Sequence, residues 1–167
     1  MTPILVTGGT GFVGRTLLRI LAERQHPVRA SCHDSGPGSQ DCNDPGLEWI
    51  RFDLADDHCD YSRMLDGVET VIHLAGLAHI TGQGRGSTSD IKSVNAGGTA
   101  RLAEESAARG IKRFIFISTA KIHGDITQQP SGGNPRGFTE RDLPAPADIY
   151  AAAKHEETIS YSAQSMS

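Results

Sequence analysis

The sequence predicts an α/β fold: a doubly wound parallel sheet, strand order 3-2-1-4-5, with helices on both faces. Three observations predict it. A short apolar strand, Ile4-Leu5-Val6, runs into the glycine turn Gly8-Gly9-Thr10-Gly11-Phe12-Val13-Gly14 and then into a helical pattern. Strand-like and helix-like segments alternate along the 167 residues, the pattern of right-handed crossovers. The run Phe114-Ile115-Phe116-Ile117 is continuously apolar, which suits a strand buried on both faces of a parallel sheet.

Taken in order, the first strand is followed by a helix over residues 12–22, where Val13, Leu17, Leu18 and Leu21 recur at helical spacing. Residues 27–31 read as the second strand, and residues 35–45, crowded with Gly, Pro, Ser, Asn and Asp, read as loop. Residues 47–52 form the third strand, ending at Asp53-Leu54. A short helix over 61–65 is stopped by Gly67 before a fourth strand over 70–74. A long helix is expected over 87–109, closed by Gly110. Its Gly97-Gly98 pair weakens it locally and permits close packing. Residues 113–118 make the fifth strand, and 124–147, rich in Pro, Gly and polar residues, a long loop of the kind that is functional or disordered. The last helix runs from 148 to about 162. There is no internal repeat. No sixth strand follows, so strand five is expected at an open edge.

Length and composition bound the function. A chain of 167 residues buries one substantial core, and 37% hydrophobic residues with 19 glycines lie in the globular range. The net charge of −4, without a long basic run, favours neither nucleic acid nor an anionic membrane as partner. Cys32, Cys42 and Cys59 are odd in number and lack CxxC spacing, which points to free thiols in a reducing compartment. The first residues lack the regions of a signal peptide, and no apolar stretch approaches the roughly 20 residues of a membrane span. A soluble, cytoplasmic protein is expected.

The glycine turn carries chemistry because of where it sits. Between a strand and a helix, its small residues let the backbone approach a dinucleotide pyrophosphate, whose charge meets free amides and the positive helix end. This nominates Gly8, Gly11, Phe12, Val13 and Gly14 for cofactor binding. A ribose-binding acid belongs about 20 residues further on, and Asp34 lies there, after Cys32 and His33. An Asp favours NAD and a nearby basic group accommodates NADP; Cys32-His33-Asp34 leaves both open.

Near the other end, Tyr150 and Lys154 share one helix face, about one turn apart. A phenol of ordinary pKa about 10 beside an ammonium becomes a usable general acid or base. Ser118-Thr119 closes strand five, where such sheets place ligands, and Thr119 offers a hydroxyl to a substrate oxygen. His73, His79 and His123 show no HxxxH pair and no acidic companion at ligand spacing, so no metal site is predicted. Ser118 has no nucleophile elbow, which argues against hydrolase chemistry.

With these motifs in this order, the chain resembles the extended short-chain dehydrogenases/reductases, specifically the NAD-dependent epimerase/dehydratase family, from Ile4 to about Glu157. Val6-Thr7 and the glycine turn match the family's cofactor turn, and Asp53-Leu54 resembles its adenine-contacting pair. His73-Leu74-Ala75-Gly76-Leu77-Ala78 is similar to the fourth-strand motif beside the cofactor. Asn95-Ala96-Gly97-Gly98-Thr99 resembles the helix motif whose Asn orders the active site. Ser118-Thr119-Ala120-Lys121-Ile122-His123-Gly124 fits the stretch after strand five, with His123 where a Tyr is common. Phe138-Thr139-Glu140 is similar to the segment leading into YxxxK.

The resemblance implies a Rossmann-type domain over residues 1–167. It implies catalytic Thr119, Tyr150 and Lys154, and cofactor binding by Gly8, Gly11, Phe12, Val13, Gly14, Asp34, Asp53, Leu54, Leu74, Ala75, Gly76, Asn95, Tyr150 and Lys154. The cofactor would be NAD or NADP, with NAD favoured, and the substrate a nucleotide-diphosphate sugar handled as by 4-epimerases and 4-ketoreductases. Lys154 would hold the nicotinamide ribose and depress the Tyr150 pKa, and Thr119 would orient the substrate oxygen. A homodimer through the 87–109 and Tyr150 helices is implied. Relatives continue for about 100 to 200 residues more, so the substrate-binding C-terminal portion is expected to be absent. The alternatives are a non-catalytic NAD(P)-binding module or truncated remnant, and a partner protein that pairs through its open strand edge.

Overall fold

The computed structural model describes residues 1–33, 46–53, 56, 58–76, 93–127 and 136–164. Its elements are β1 (Ile4–Thr7), α1 (Phe12–Glu23), β2 (Val28–Cys32), β3 (Leu47–Arg51), α2 (Tyr61–Leu65), β4 (Thr70–His73), α3 (Thr99–Ala108), β5 (Arg113–Phe116) and α4 (Ile149–Gln164). The strands form one parallel sheet in the order β3-β2-β1-β4-β5, as the sequence predicts.

Adjacent residues of a strand face opposite sides, and β1 shows how that builds two cores. Leu5 packs with Ile50, Phe52, Met64, Leu65, Val71 and Leu102, so α2 and α3 cover its side. Val6 packs with Leu18, Leu21, Val28 and Ala30, so α1 covers the other. The register Leu5↔Val71 and Val6↔Ile72 extends both layers to β4. Helix ends follow local rules: Asp60 caps α2 by accepting from the Ser62 N–H at 2.9 Å. Gly67 and Gly110, at φ +68° and +70°, turn the chain after α2 and α3 in the left-handed region that other residues avoid.

Two elements differ from expectation. Within the predicted 87–109 helix, residues 87–92 lie outside the described residues, and Ser93–Gly98 form a π-helical turn before α3 begins at Thr99. Gly97 and Gly98, without Cβ atoms, close that wider turn. The second difference is β5, predicted to be buried on both faces. It lies at the sheet edge, as expected, but Ile115 and Ile117 are 37% and 45% exposed. Ile115 pairs with Ile72 on the α1 side, while α1 packs over β1 and β2 and does not extend to the edge. Residues 124–127 and 136–148 carry neither strand nor α-helix except for the start of α4 that follows them. The predicted 35–45 loop, with Cys42, lies outside the described residues. Cys32 and Cys59 are free thiols. No helix among the described residues is long and apolar enough to cross a membrane.

This packing separates two substitutions. Leu102→Ala, in a fully buried position, costs about 2–5 kcal/mol, whereas Ile117→Ser on the uncovered side costs less than about 1 kcal/mol. Urea unfolding measures both; equal losses would show that the α1 side of β5 is covered in solution.

Candidate active site

The turn after β1 is packed against the turn after β4. Gly8 has φ +70°, and a Cβ there would lie 2.8 Å from the Ala75 nitrogen. A Cβ on Gly14 would drive into the Gly8 carbonyl, so α1 approaches β1 only as glycine. Gly11 caps α1 without a side chain, and no acidic residue occupies the first turn. The first amides of a helix have no intrahelical acceptor, so those of Phe12, Val13 and Gly14 form a positive, uncapped end suited to a diphosphate. Phe12 and Val13, 93% and 56% exposed, flank it. At the far end of β2 and β3, Asp53 Oδ2 lies 3.0 Å from His33 Nε2. Asp34 and Leu54 lie outside the described residues.

Behind the turn runs a buried polar chain whose direction follows from its donors. The Leu74 and Ala75 N–H groups each donate to Thr7 Oγ1 at 3.2 Å. Thr7 therefore spends its own proton on His73 Nδ1, 2.6 Å away. Burial, with the charge of Lys154 adding, pushes His73 down to about 3, so the ring is neutral. We assign its proton to Nε2, which donates to Thr99 Oγ1 at 2.7 Å. Thr99 donates in turn to Glu157 Oε2 at 3.4 Å, and Lys154 Nζ donates to the same oxygen at 2.9 Å. Thr7, His73, Thr99 and Glu157 are fully buried and Lys154 is 4% exposed. Among the described residues Glu157 Oε1 has no hydrogen-bond partner. Burial pushes this carboxyl up to about 7, against the opposing charge and hydrogen bond of Lys154 and the hydrogen bond of Thr99.

Lys154 Nζ lies 4.7 Å over the Phe116 ring. A Cβ on Gly76 would be 3.2 Å from both Lys154 Nζ and Asn95 Oδ1, so the structure brings Gly76, Asn95 and Lys154 together. Tyr150 is half-buried one turn earlier on α4. Burial pushes its phenol up, Glu157 and Asp148 add to this, and Lys121 opposes. The expected lowering by Lys154 is thus not what the geometry produces, because that ammonium is turned to Glu157 and Phe116. Thr119 Oγ1 accepts from the Lys121 N–H at 3.3 Å, capping the turn Ala120–His123, and keeps its own proton to donate. Lys121 Nζ to Asp148 Oδ2 at 2.8 Å and Ser118 Oγ to Thr158 Oγ1 at 3.2 Å stitch the end of β5 to α4.

A cleft of about 560 Å³ lies between 123–127 and 136–147, with Ile126, Arg136 and Leu143 in its lining, which does not include Thr119, Tyr150 or Lys154. His123 stacks on Phe138 at 5.6 Å on its wall. Sequence reading placed Thr7 and Thr99 inside its motifs without giving them a role, and missed Glu157. The one available signal was the i, i+3 spacing of Lys154 and Glu157 on a helix.

Comparison with known proteins follows this geometry. A profile of the NAD dependent epimerase/dehydratase family matches residues 4–164. The chain is 31% identical over 156 residues to a UDP-glucose 4-epimerase of Vibrio cholerae, covering 92% of this chain and 44% of that protein. It is 34% identical over 143 residues to a 3 beta-hydroxysteroid dehydrogenase/Delta 5-->4-isomerase of Mycobacterium tuberculosis, covering 83% of this chain and 37% of the relative. A crystal structure of UDP-glucuronic acid 4-epimerase from Bacillus cereus in complex with NAD superposes with a TM-score of 0.77 at 25% identity, over 98% of this chain and 52% of that one. The chain therefore spans about half or less of the length of these relatives.

The buried carboxyl makes a pH prediction. Its folded pKa of about 7 lies above the ordinary 4.5, so the folded state binds the extra proton between these values and gains stability as pH falls. Glu157→Gln lacks that gain. Relative to the parent it loses about 3 kcal/mol between pH 7.5 and pH 4, read from urea unfolding of both proteins across the range; a pH-independent difference would refute the raised pKa.

Proposed function

Because the chain belongs to the NAD dependent epimerase/dehydratase family, we propose that it binds NAD or NADP and serves hydride transfer on a nucleotide-diphosphate sugar. The observation that carries this reading is the convergence at the ends of β1 and β4. Gly8 meets Ala75 there, in the turn that leads into the uncapped start of α1, and Gly76, Asn95 and Lys154 meet one residue further along. Such strand ends are where open parallel sheets take ligands.

In this reading the amides and glycines from Gly8 to Gly14 hold the pyrophosphate, and Asp53, with Asp34 and Leu54, holds the adenosine side. Leu74, Ala75 and Gly76 line the middle, and Asn95 and Lys154 hold the nicotinamide ribose. The bound cofactor supplies hydride chemistry. Tyr150 moves the proton: its pushed-up phenol starts protonated and donates from Oη to a carbonyl oxygen, or accepts from a hydroxyl once ionised. Thr119 donates its hydroxyl proton to that same substrate oxygen. The cleft past His123 takes the sugar. Residues 1–167 are then the dinucleotide-binding domain, and the sugar-nucleotide-binding remainder of the relatives lies outside it. A second reading, a dinucleotide-binding module without turnover, is favoured by the turning of Lys154 toward Glu157 and by the raised phenol.

Calorimetric titration with NAD, NADH, NADP and NADPH, followed by turnover assays with UDP-glucose and UDP-glucuronic acid, decides between them. We expect dinucleotide binding, turnover, and a loss of about 100-fold or more in turnover for Tyr150→Phe with the dinucleotide Kd changed less than about twofold. Binding without turnover selects the module; absence of dinucleotide binding refutes both.

A further inference from the structure

Lys154 and Glu157 form an ion pair buried on α4, with side chains 5% and 0% exposed. Such a pair is often no more stabilising than apolar side chains of the same volume, so stability alone gives little reason for it. Its geometry gives a better one. A lysine ammonium is a point charge on a flexible stem, with no preferred direction of its own. Here it is held from two sides, by Glu157 Oε2 at 2.9 Å and by the Phe116 ring at 4.7 Å. Its third neighbour is the Gly76 backbone, beside Asn95 Oδ1.

Glu157 is itself held. Its Oε2 accepts from Thr99, whose hydroxyl is oriented by His73, whose tautomer is set by Thr7. Thr7 is oriented by the amides of Leu74 and Ala75, the residues that precede Gly76. The position of the ammonium is thus referred, through the core, to the same backbone it faces.

We propose that Glu157 is the positioning residue of this site. It holds the Lys154 ammonium beside Gly76 and Asn95, so that the remaining N–H donors meet the nicotinamide-side ribose of a dinucleotide seated on the glycine turn. The proposal rests on the dinucleotide reading given above and adds to it a residue that touches neither cofactor nor substrate.

Two measurements on Lys154→Met, Glu157→Gln and the double variant test it. The first needs no cofactor: the side-chain ammonium of Lys154, identified in nitrogen-15 NMR by its loss in Lys154→Met, shifts or broadens away in Glu157→Gln. An unchanged signal overturns the proposal. The second compares NADH with ADP, which lacks the nicotinamide ribose. Glu157→Gln weakens NADH about tenfold and ADP less than twofold, and the double variant is no worse than Lys154→Met. Equal losses for both ligands, or additive losses in the double variant, overturn it. If the parent binds neither ligand, the dinucleotide reading fails, and the NMR signal still decides whether Glu157 holds Lys154. Should Glu157→Gln not fold, Glu157→Asp replaces it in both measurements, because it keeps the charge and shortens the reach, with the same expected directions.

Discussion

The contact between Gly8 and the Leu74-Ala75 backbone is the constraint on which the site depends. With a side chain at Gly8 the ends of β1 and β4 could not stay this close. That closeness lets Thr7 accept from both the Leu74 and Ala75 amides, which orients its hydroxyl toward His73. It also sets the turn that leads into α1 against the residues that precede Gly76. One missing Cβ therefore joins the turn that leads into α1 to a hydrogen-bond chain that reaches α4.

Electrostatics inside that chain are governed by burial. His73 is neutral because no solvent supports its charge, and neutrality is what allows it to accept at one nitrogen and donate at the other. Glu157 and Lys154 share a dry site in which desolvation outweighs their attraction, leaving the carboxyl near neutrality in pKa. Tyr150 feels the same burial, and the cation that opposes its shift is Lys121, itself bound to Asp148. The site is thus charged on two tiers: a buried pair on α4 and an exposed pair that ties α4 to the end of β5.

The sheet is unevenly covered. Leu102 and α3 close one side, while Ile115 and Ile117 stay half-exposed on the other, beyond the span of α1. The relatives with which the chain aligns are about twice its length or more. The side of β5 that α1 leaves uncovered is the one open apolar stretch of the sheet edge among the described residues.

Most of the fold was legible in the sequence. Alternating strands and helices, the glycine turn and the stops at Gly67 and Gly110 are local signals, and they determined the strand order and the placement of Thr119, Tyr150 and Lys154 on their elements. The exposure of β5 was not legible, because Phe114 to Ile117 reads the same whether or not a helix lies above it. The chain from Thr7 to Glu157 was not legible either, since its members are separated by 66, 26 and 58 residues. Nor was the direction of the Tyr150 shift, which a YxxxK spacing alone assigns to Lys154. Sequence determined which residues share an element, because periodicity and turn chemistry act between neighbours. Only the tertiary structure decided which proton each buried group holds and where the lysine points, because desolvation and hydrogen-bond direction depend on partners brought together by folding.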